Sequence, residues 1–323
     1  MTQPEPDRPS RTSVWVAAAR AFGAREPDPA VRNPDWLAER LLGPEELGLL
    51  GDHPLAAALA QPNEASSYEE DCKNLEIAGL ARMLIIRTRF IDERLEAAIA
   101  DGATQVVILG AGFDTRAYRF AELLKGARVF EVDRPGTQNL KILRVREAIG
   151  APPANLTFTP FDFRHEALGE ALARAGFKTG EKTFFIWEGV TMYLPAAAVH
   201  ETLRWIGSVA APDSVVIFDY AIESAIKFFA KFESSVDIGT LPEAVKIAIE
   251  RFRRMIAAEP WIFGVPDDCE KEFLAEFALH LRSTMSMTGS EAVAKYLTRA
   301  DGTVFGGIPA NEQQGYSILE AAR

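Results

Sequence analysis

A doubly wound, mostly parallel α/β sheet of the Rossmann-like kind is the fold that this 323-residue sequence predicts. The apolar run Val106-Val-Ile-Leu109 enters Gly110-Ala-Gly112 without polar interruption, as a buried parallel strand breaking into a tight loop does. Strand-like and helix-like stretches then alternate up to Tyr220. The second strand, Arg128–Asp133, ends in an acid about twenty residues after the glycines, the distance at which a carboxylate accepts hydrogen bonds from ribose hydroxyls.

Taken in order, residues 1–100 read as a helical N-terminal extension. Residues 1–10 are Pro-rich and charged and are expected to be disordered. Ser13–Phe22 reads as a small-residue helix, and Asp35–Leu42 and Pro44–Leu50 as short helices joined at Gly43. Over 69–100 the apolar residues from Leu75 to Ile99 recur at helical spacing, giving one long helix or two broken near Arg87. The sheet core takes 101–220 and 279–323. Its expected helices are Ala117–Leu124, Asn139–Ile149, Glu166–Ala175 and Ala196–Val209. Its expected later strands are Asn155–Phe161, Thr183–Trp187, Ser214–Tyr220, His280–Ser286 and Tyr316–Glu320, with a helix over Gly289–Leu297. Residues 221–278 interrupt the alternation with three expected helices, Ile222–Phe232, Pro242–Ile256 and Pro266–Phe277. Their aromatics, Phe228, Phe229, Phe232, Trp261 and Phe263, suit either a lid over an apolar substrate or packing on the sheet edge. The whole is expected to be one continuous globular unit.

The glycine loop carries the chemistry. Gly110 and Gly112 allow the backbone of Gly110, Ala111 and Gly112 to approach a ligand closely. A dinucleotide fingerprint wants a third glycine where this chain has Thr115, and the following helix opens with Asp114, whose carboxylate repels a diphosphate. A cationic nucleoside without phosphates, such as S-adenosylmethionine, suits that acid better. The loop alone equally fits a glycine turn joining a core strand to a helix. Glu131 and Asp133 are the candidate ribose acids. At the end of the third strand Asp162 and Phe163 can hold a flat heterocycle, the acid accepting from an exocyclic amino group and the ring packing on its face. Asp162 as a plain helix cap is the competing role. Glu188, an acid after four apolar residues, is costly to bury unpaired. It falls with Tyr193 beyond the fourth strand, where doubly wound sheets bind ligands.

Composition narrows the partners. A net charge of −11 with no Lys/Arg cluster argues against a nucleic-acid groove. No apolar run is long enough to span a bilayer, and the N-terminus has no basic-then-apolar leader, so a cytoplasmic protein acting on small molecules or peptides is expected. Cys72 and Cys269 stand apart from each other and from any His cluster, which predicts free thiols and no metal.

Arg87-Thr-Arg-Phe-Ile-Asp92, Gly110-Ala-Gly-Phe-Asp-Thr-Arg116, Phe130-Glu-Val-Asp133, Asp162-Phe-Arg164 and Glu188-Gly-Val-Thr-Met-Tyr193 occur in the order seen in leucine carboxyl methyltransferase-like enzymes. With Val16-Ala-Ala-Ala-Arg20 and Glu259-Pro-Trp-Ile-Phe-Gly264, the sequence resembles the bacterial branch of that family over nearly its whole length. The resemblance implies a class I methyltransferase sheet closed by an antiparallel last strand, and S-adenosylmethionine as cofactor. It implies Arg87 on the methionyl carboxylate, with Arg89 undecided, and adenine at Asp162 and Phe163. The family's protein substrate is not carried over, because the matched motifs are cofactor motifs. The expected activity is methyl transfer to a carboxylate or hydroxyl of a small molecule or peptide, with Glu188 and Tyr193 at the reacting end. Such transfer is chiefly a matter of alignment. None of His53, His165, His200 and His280 is placed by its spacing as a general base, which favours an acceptor that is already anionic. A nicotinamide-dependent oxidoreductase, disfavoured by Thr115, and a non-catalytic nucleoside-binding protein are the alternatives.

Overall fold

The strand predicted at residues 106–109 lies in the middle of the five parallel strands. In the computed structural model, which describes residues 10–61, 65–235, 246–247, 249–251, 253–254, 259–312 and 315–323, seven strands lie in one sheet. They are β1 (Gln105–Leu109), β2 (Arg128–Asp133), β3 (Leu156–Pro160), β4 (Thr183–Trp187), β5 (Val215–Ala221), β6 (His280–Ser286) and β7 (Tyr316–Ala322). Their order is β3-β2-β1-β4-β5-β7-β6. The first five run parallel, Val106 pairing with Val129 on one side and Phe184 on the other. β7 lies antiparallel between β5 and β6, as the closing hairpin predicts. The strand order reverses between β1 and β4, so a crevice opens beyond their C-terminal ends.

The described helices are α1 (Arg11–Ala24), α2 (Pro44–Leu49), α3 (Pro54–Ala60), α4 (Ala65–Asp71), α5 (Leu75–Ala100), α6 (Arg116–Arg119), α7 (Pro135–Ala148), α8 (Leu168–Arg174), α9 (Ala196–Val209), α10 (Glu223–Ser235) and α11 (Glu270–Ala275). Alternation along β1 divides the core. Val106 and Ile108 face α1 and α5, packing with Phe22, Leu84 and Ile91. Val107 and Leu109 face α8 and α9, with Leu172, Leu203 and Phe273.

Several elements differ from expectation for local reasons. The helix leading to the sheet is unbroken at Arg87. It begins instead at Asn74, whose side chain accepts from Glu76 N–H at 3.0 Å and so caps α5 after the turn that ends α4. Asp35–Leu42 makes only a 3₁₀ turn at Ala38–Leu41. The helix after the glycine loop stops at Arg119, and Leu123–Gly126 forms a separate 3₁₀ turn. Gly289–Leu297 splits into one α-helical turn, Ser290–Ala292, and a π-type turn, Val293–Leu297. Within the insertion α10 is present, Pro266–Phe277 contracts to α11, and the helix expected over 242–256 falls largely outside the described residues, as do the side chains of Phe229 and Phe232. Trp261 stacks on Tyr316 at 5.4 Å and Phe263 is buried among core residues, whereas Phe228 is exposed. Cys72 and Cys269 are free thiols. No metal-binding cluster occurs among the described residues, and no described helix is long and apolar enough to cross a membrane.

Candidate active site

The glycine loop is shaped by what surrounds it. Gly110 has φ +65°, and a methyl group there would overlap Val190 Cγ2 of the loop after β4. Gly112 has φ +44°, and its N–H donates to Asp133 Oδ2 at 2.5 Å, tying the loop to the tip of β2. Asp133 Oδ1 accepts from Arg134 N–H at 2.7 Å. Burial nonetheless raises the Asp133 carboxyl above the usual range, outweighing those two donors. Ala111 lies between the glycines, its N–H bonded to Val132 O at 3.0 Å.

Glu131 lies two residues deeper on the same face of β2, 1% exposed, with Lys141 Nζ of α7 2.7 Å away. Its carboxylate faces that ammonium, and neither of its oxygens has a hydrogen-bond partner. Burial pushes this carboxyl up to about 7 against the opposing pull of Lys141. A carboxyl that binds its proton more tightly folded than unfolded adds stability below its ordinary pKa of 4.5, and that contribution is lost as pH rises through about 7. The loss amounts to ~3 kcal/mol. The paired variant Glu131→Gln/Lys141→Met is expected to flatten this fall, read by urea unfolding at pH 5 and pH 8. An unaltered slope would contradict the assignment.

Beyond β4 the chain places a buried ionic lattice. Glu188 Oε1 meets Arg87 Nε at 2.9 Å, and its Oε2 meets Arg116 Nη1 at 2.6 Å. Arg20 of α1 approaches at 3.9 Å. Burial by itself raises the Glu188 carboxyl, but Arg116, Arg87 and Arg20 outweigh it and hold the group well below the carboxylate range. Arg87 also meets Asp219 of β5 at 2.6 Å and Tyr316 Oη at 2.9 Å, and the Tyr316 hydroxyl donates to Asp219. Asp219 accepts in addition from Gly189 N–H at 2.6 Å, which fixes the turn after Glu188.

On the other flank Arg116 meets Asp92 of α5 at 2.7 Å and pairs with Asp114. Asp114 also accepts from Arg116 N–H at 2.7 Å. Its charge is thus held inside the loop, and Arg116 keeps it ionised against the cost of burial. Arg119 meets Asp92 at 2.8 Å and Asp35 at 3.4 Å, and Arg20 meets Asp35 at 3.1 Å. Thr115, the residue in the third-glycine position, donates to Asp35 at 2.6 Å. Five carboxylates, of Asp35, Asp92, Asp114, Glu188 and Asp219, thereby face four guanidiniums, of Arg20, Arg87, Arg116 and Arg119, for a net charge of −1. Arg87 Nη2 and Arg116 Nη2 are buried without a hydrogen-bond partner.

The remaining candidates sit around this lattice. Tyr193 is half-buried, its hydroxyl near Thr12 and Trp261, and burial raises its phenol so that it stays protonated. Asp162 is half-buried, and its Oδ1 accepts from Arg164 N–H at 3.0 Å. The Phe163 ring is stacked 5.8 Å from Trp187 and lines a cavity of about 250 Å³ with Phe161, Leu168 and Trp205 between α8 and α9. Arg89 donates to the carbonyl of Ala30 at 2.8 Å, which leaves Arg87 as the arginine of that pair in the crevice. Among the histidines, His53 caps α3, His200 packs on Phe263, Phe273 and Phe277, and His165 and His280 are exposed.

Sequence reasoning passed over Asp219 and Tyr316 as partners of Arg87, Arg20 as a partner of Glu188, and Asp35 as a partner of Arg20. Asp219 had a signal: an acid inside the otherwise apolar run Val215–Tyr220 requires a buried cation. Asp35 and Tyr316 had none, because their partners lie far away in the chain.

A parallel sheet reversing between β1 and β4 with an antiparallel last strand is the class I methyltransferase architecture, and here it carries an acid-and-arginine crevice at the reversal. The chain belongs to the leucine carboxyl methyltransferase family, whose model matches residues 13–207, and is accordingly an S-adenosylmethionine-dependent methyltransferase. It is 34% identical over 268 residues to a protein of Frankia alni provisionally named as such an enzyme, covering 82% of this chain and 80% of that one. A Mycolicibacterium smegmatis protein with the same provisional description is 36% identical over 203 residues, covering 63% of this chain. The matched part is 64% of that relative's length, just under two thirds. Among solved structures, magnesium protoporphyrin IX methyltransferase from Synechocystis, with bound SAH, aligns over 76% of this chain and 86% of its own at 13% identity and a TM-score of 0.43, a likeness of fold alone.

Proposed function

We propose that this enzyme transfers the methyl group to an oxygen, a carboxylate or hydroxyl, of a small-molecule or peptide acceptor. The observation that carries the site assignment is the pair of unpartnered guanidinium nitrogens, Arg87 Nη2 and Arg116 Nη2, on either side of the Glu188 carboxylate. Donors for a carboxylate beside an acceptor for an ammonium are the complement of an amino-acid end group. The net negative lattice suits a ligand with a further positive charge.

In this reading Arg87 takes the methionyl carboxylate and Glu188 the ammonium. Asp133, half-buried at the tip of β2, takes the ribose hydroxyls. The backbone of Gly110, Ala111 and Gly112 makes the close approach, and Asp162 and Phe163 flank the adenine. Asp114 acts on the ligand through Arg116, and Glu131 through the packing of β2. The cofactor supplies a methyl group on a sulfonium, a good neutral leaving group. Glu188 favours the positive charge at that end, and Tyr193, a protonated phenol, orients the acceptor. His53 caps α3, His200 packs among phenylalanines, and His165 and His280 are exposed, which supports an acceptor that is already ionised, a carboxylate, since it needs no base.

S-Adenosylmethionine and S-adenosylhomocysteine are expected to raise the melting temperature and to bind by calorimetry, while NAD does neither. Labelled methyl donor with a panel of carboxylates, phenols, alcohols and peptides then identifies the acceptor. Stabilisation by NAD alone would return the site to an oxidoreductase. Cofactor binding with no transfer to any acceptor class would leave a nucleoside-binding protein.

A further inference from the structure

Glu259 opens the Glu259-Pro-Trp-Ile-Phe-Gly264 stretch, and no step above uses it. Its carboxylate accepts from the Thr12 hydroxyl and faces the backbone N–H groups of Arg11 and Thr12, the first two residues of α1, which draw its carboxyl down against burial. Those N–H groups have no partner within the helix, and a carboxylate there also complements the positive end of the helix dipole.

Both sides of this contact are anchored at the cofactor crevice. Ser10 N–H donates to Thr137 Oγ1 at the start of α7, at 3.3 Å. Ser13 stands over the glycine loop so closely that a Cβ on Gly112 would lie 3.1 Å from its own. On the other side, Ile262 and Phe263 N–H donate to Met192 O at 2.7 and 3.2 Å, in the turn between Glu188 and Tyr193, and Trp261 stacks on Tyr316. The contact between Glu259 and Thr12 therefore joins a helix resting on the glycine loop to a segment resting on the far wall.

We propose that Glu259 is a positioning residue that clasps the first turn of α1 down over the crevice and slows escape of the bound nucleoside. This rests on the cofactor assignment made above. Release of S-adenosylhomocysteine from the full-length chain, followed by stopped-flow fluorescence, is expected to quicken about tenfold in Glu259→Ala, with association changed much less. Glu259→Gln, which keeps one acceptor oxygen, is expected to fall in between. Thr12→Val, which removes only the hydroxyl, is expected to quicken release by a smaller factor and decides the matter if Glu259→Ala does not fold. Hydrogen exchange in the loaded protein is expected to rise at the amides of residues 11–14 in Glu259→Ala. Release within twofold of the parent in Glu259→Gln and Thr12→Val overturns the clasp while leaving the cofactor assignment standing. A parent chain that binds no S-adenosylhomocysteine by calorimetry overturns both.

Discussion

Glu188→Gln is expected to lower affinity for S-adenosylhomocysteine on the order of 100-fold and to remove about 3–5 kcal/mol of folding stability. The amide keeps the shape of the side chain but not its charge, so Arg87, Arg116 and Arg20 are left facing one another around a neutral group. Breaking a buried pair costs more than the pair contributes, because the surviving charges remain desolvated. Adding Arg116→Met relieves part of that repulsion. It also strands the carboxylates of Asp92 and Asp114, so the double variant is expected to be less stable than Glu188→Gln and to bind poorly. Calorimetric titration and urea unfolding read the two effects separately. Binding within threefold of the parent would refute the role given to Glu188.

Gly110→Ala is the second large effect. The left-handed backbone at this position costs a side-chain-bearing residue about 1–2 kcal/mol. Its methyl group also overlaps Val190 Cγ2, for a further ~1–3 kcal/mol of overpacking. Val190→Ala in the same chain is expected to restore the second part and not the first. Because Gly112 and Asp133 are tied through the loop, nucleoside affinity is expected to fall along with stability. Chemical denaturation of the two variants separates backbone strain from steric overlap, and equal stability of Gly110→Ala and the parent would refute both.

Much of the fold was legible because each signal was local. The apolar run at 106–109, the paired glycines and the closing strands announce themselves within a few residues. The tip acids were also visible, but their fates were not. Glu131 and Asp133 look alike in sequence, and only the position of Lys141 on α7 turns one inward while the other stays near the surface. Asp114 reads as a ligand-facing acid until Arg116, two residues on, folds back onto it. Arg87 reads as a candidate break in α5, yet the helix runs unbroken through it and the buried side chain meets two carboxylates. Short helices were the weakest expectation, since three or four residues carry too little periodicity to fix an end.

The ionic lattice draws Arg20, Asp35, Arg87 and Asp92 from the helical preface onto Glu188 and Asp219 of the sheet. The seat proposed for the methyl donor is thus a seam between two parts of the polypeptide, and neither part owns it. A trimmed sheet lacking its first hundred residues is no minimal catalytic module.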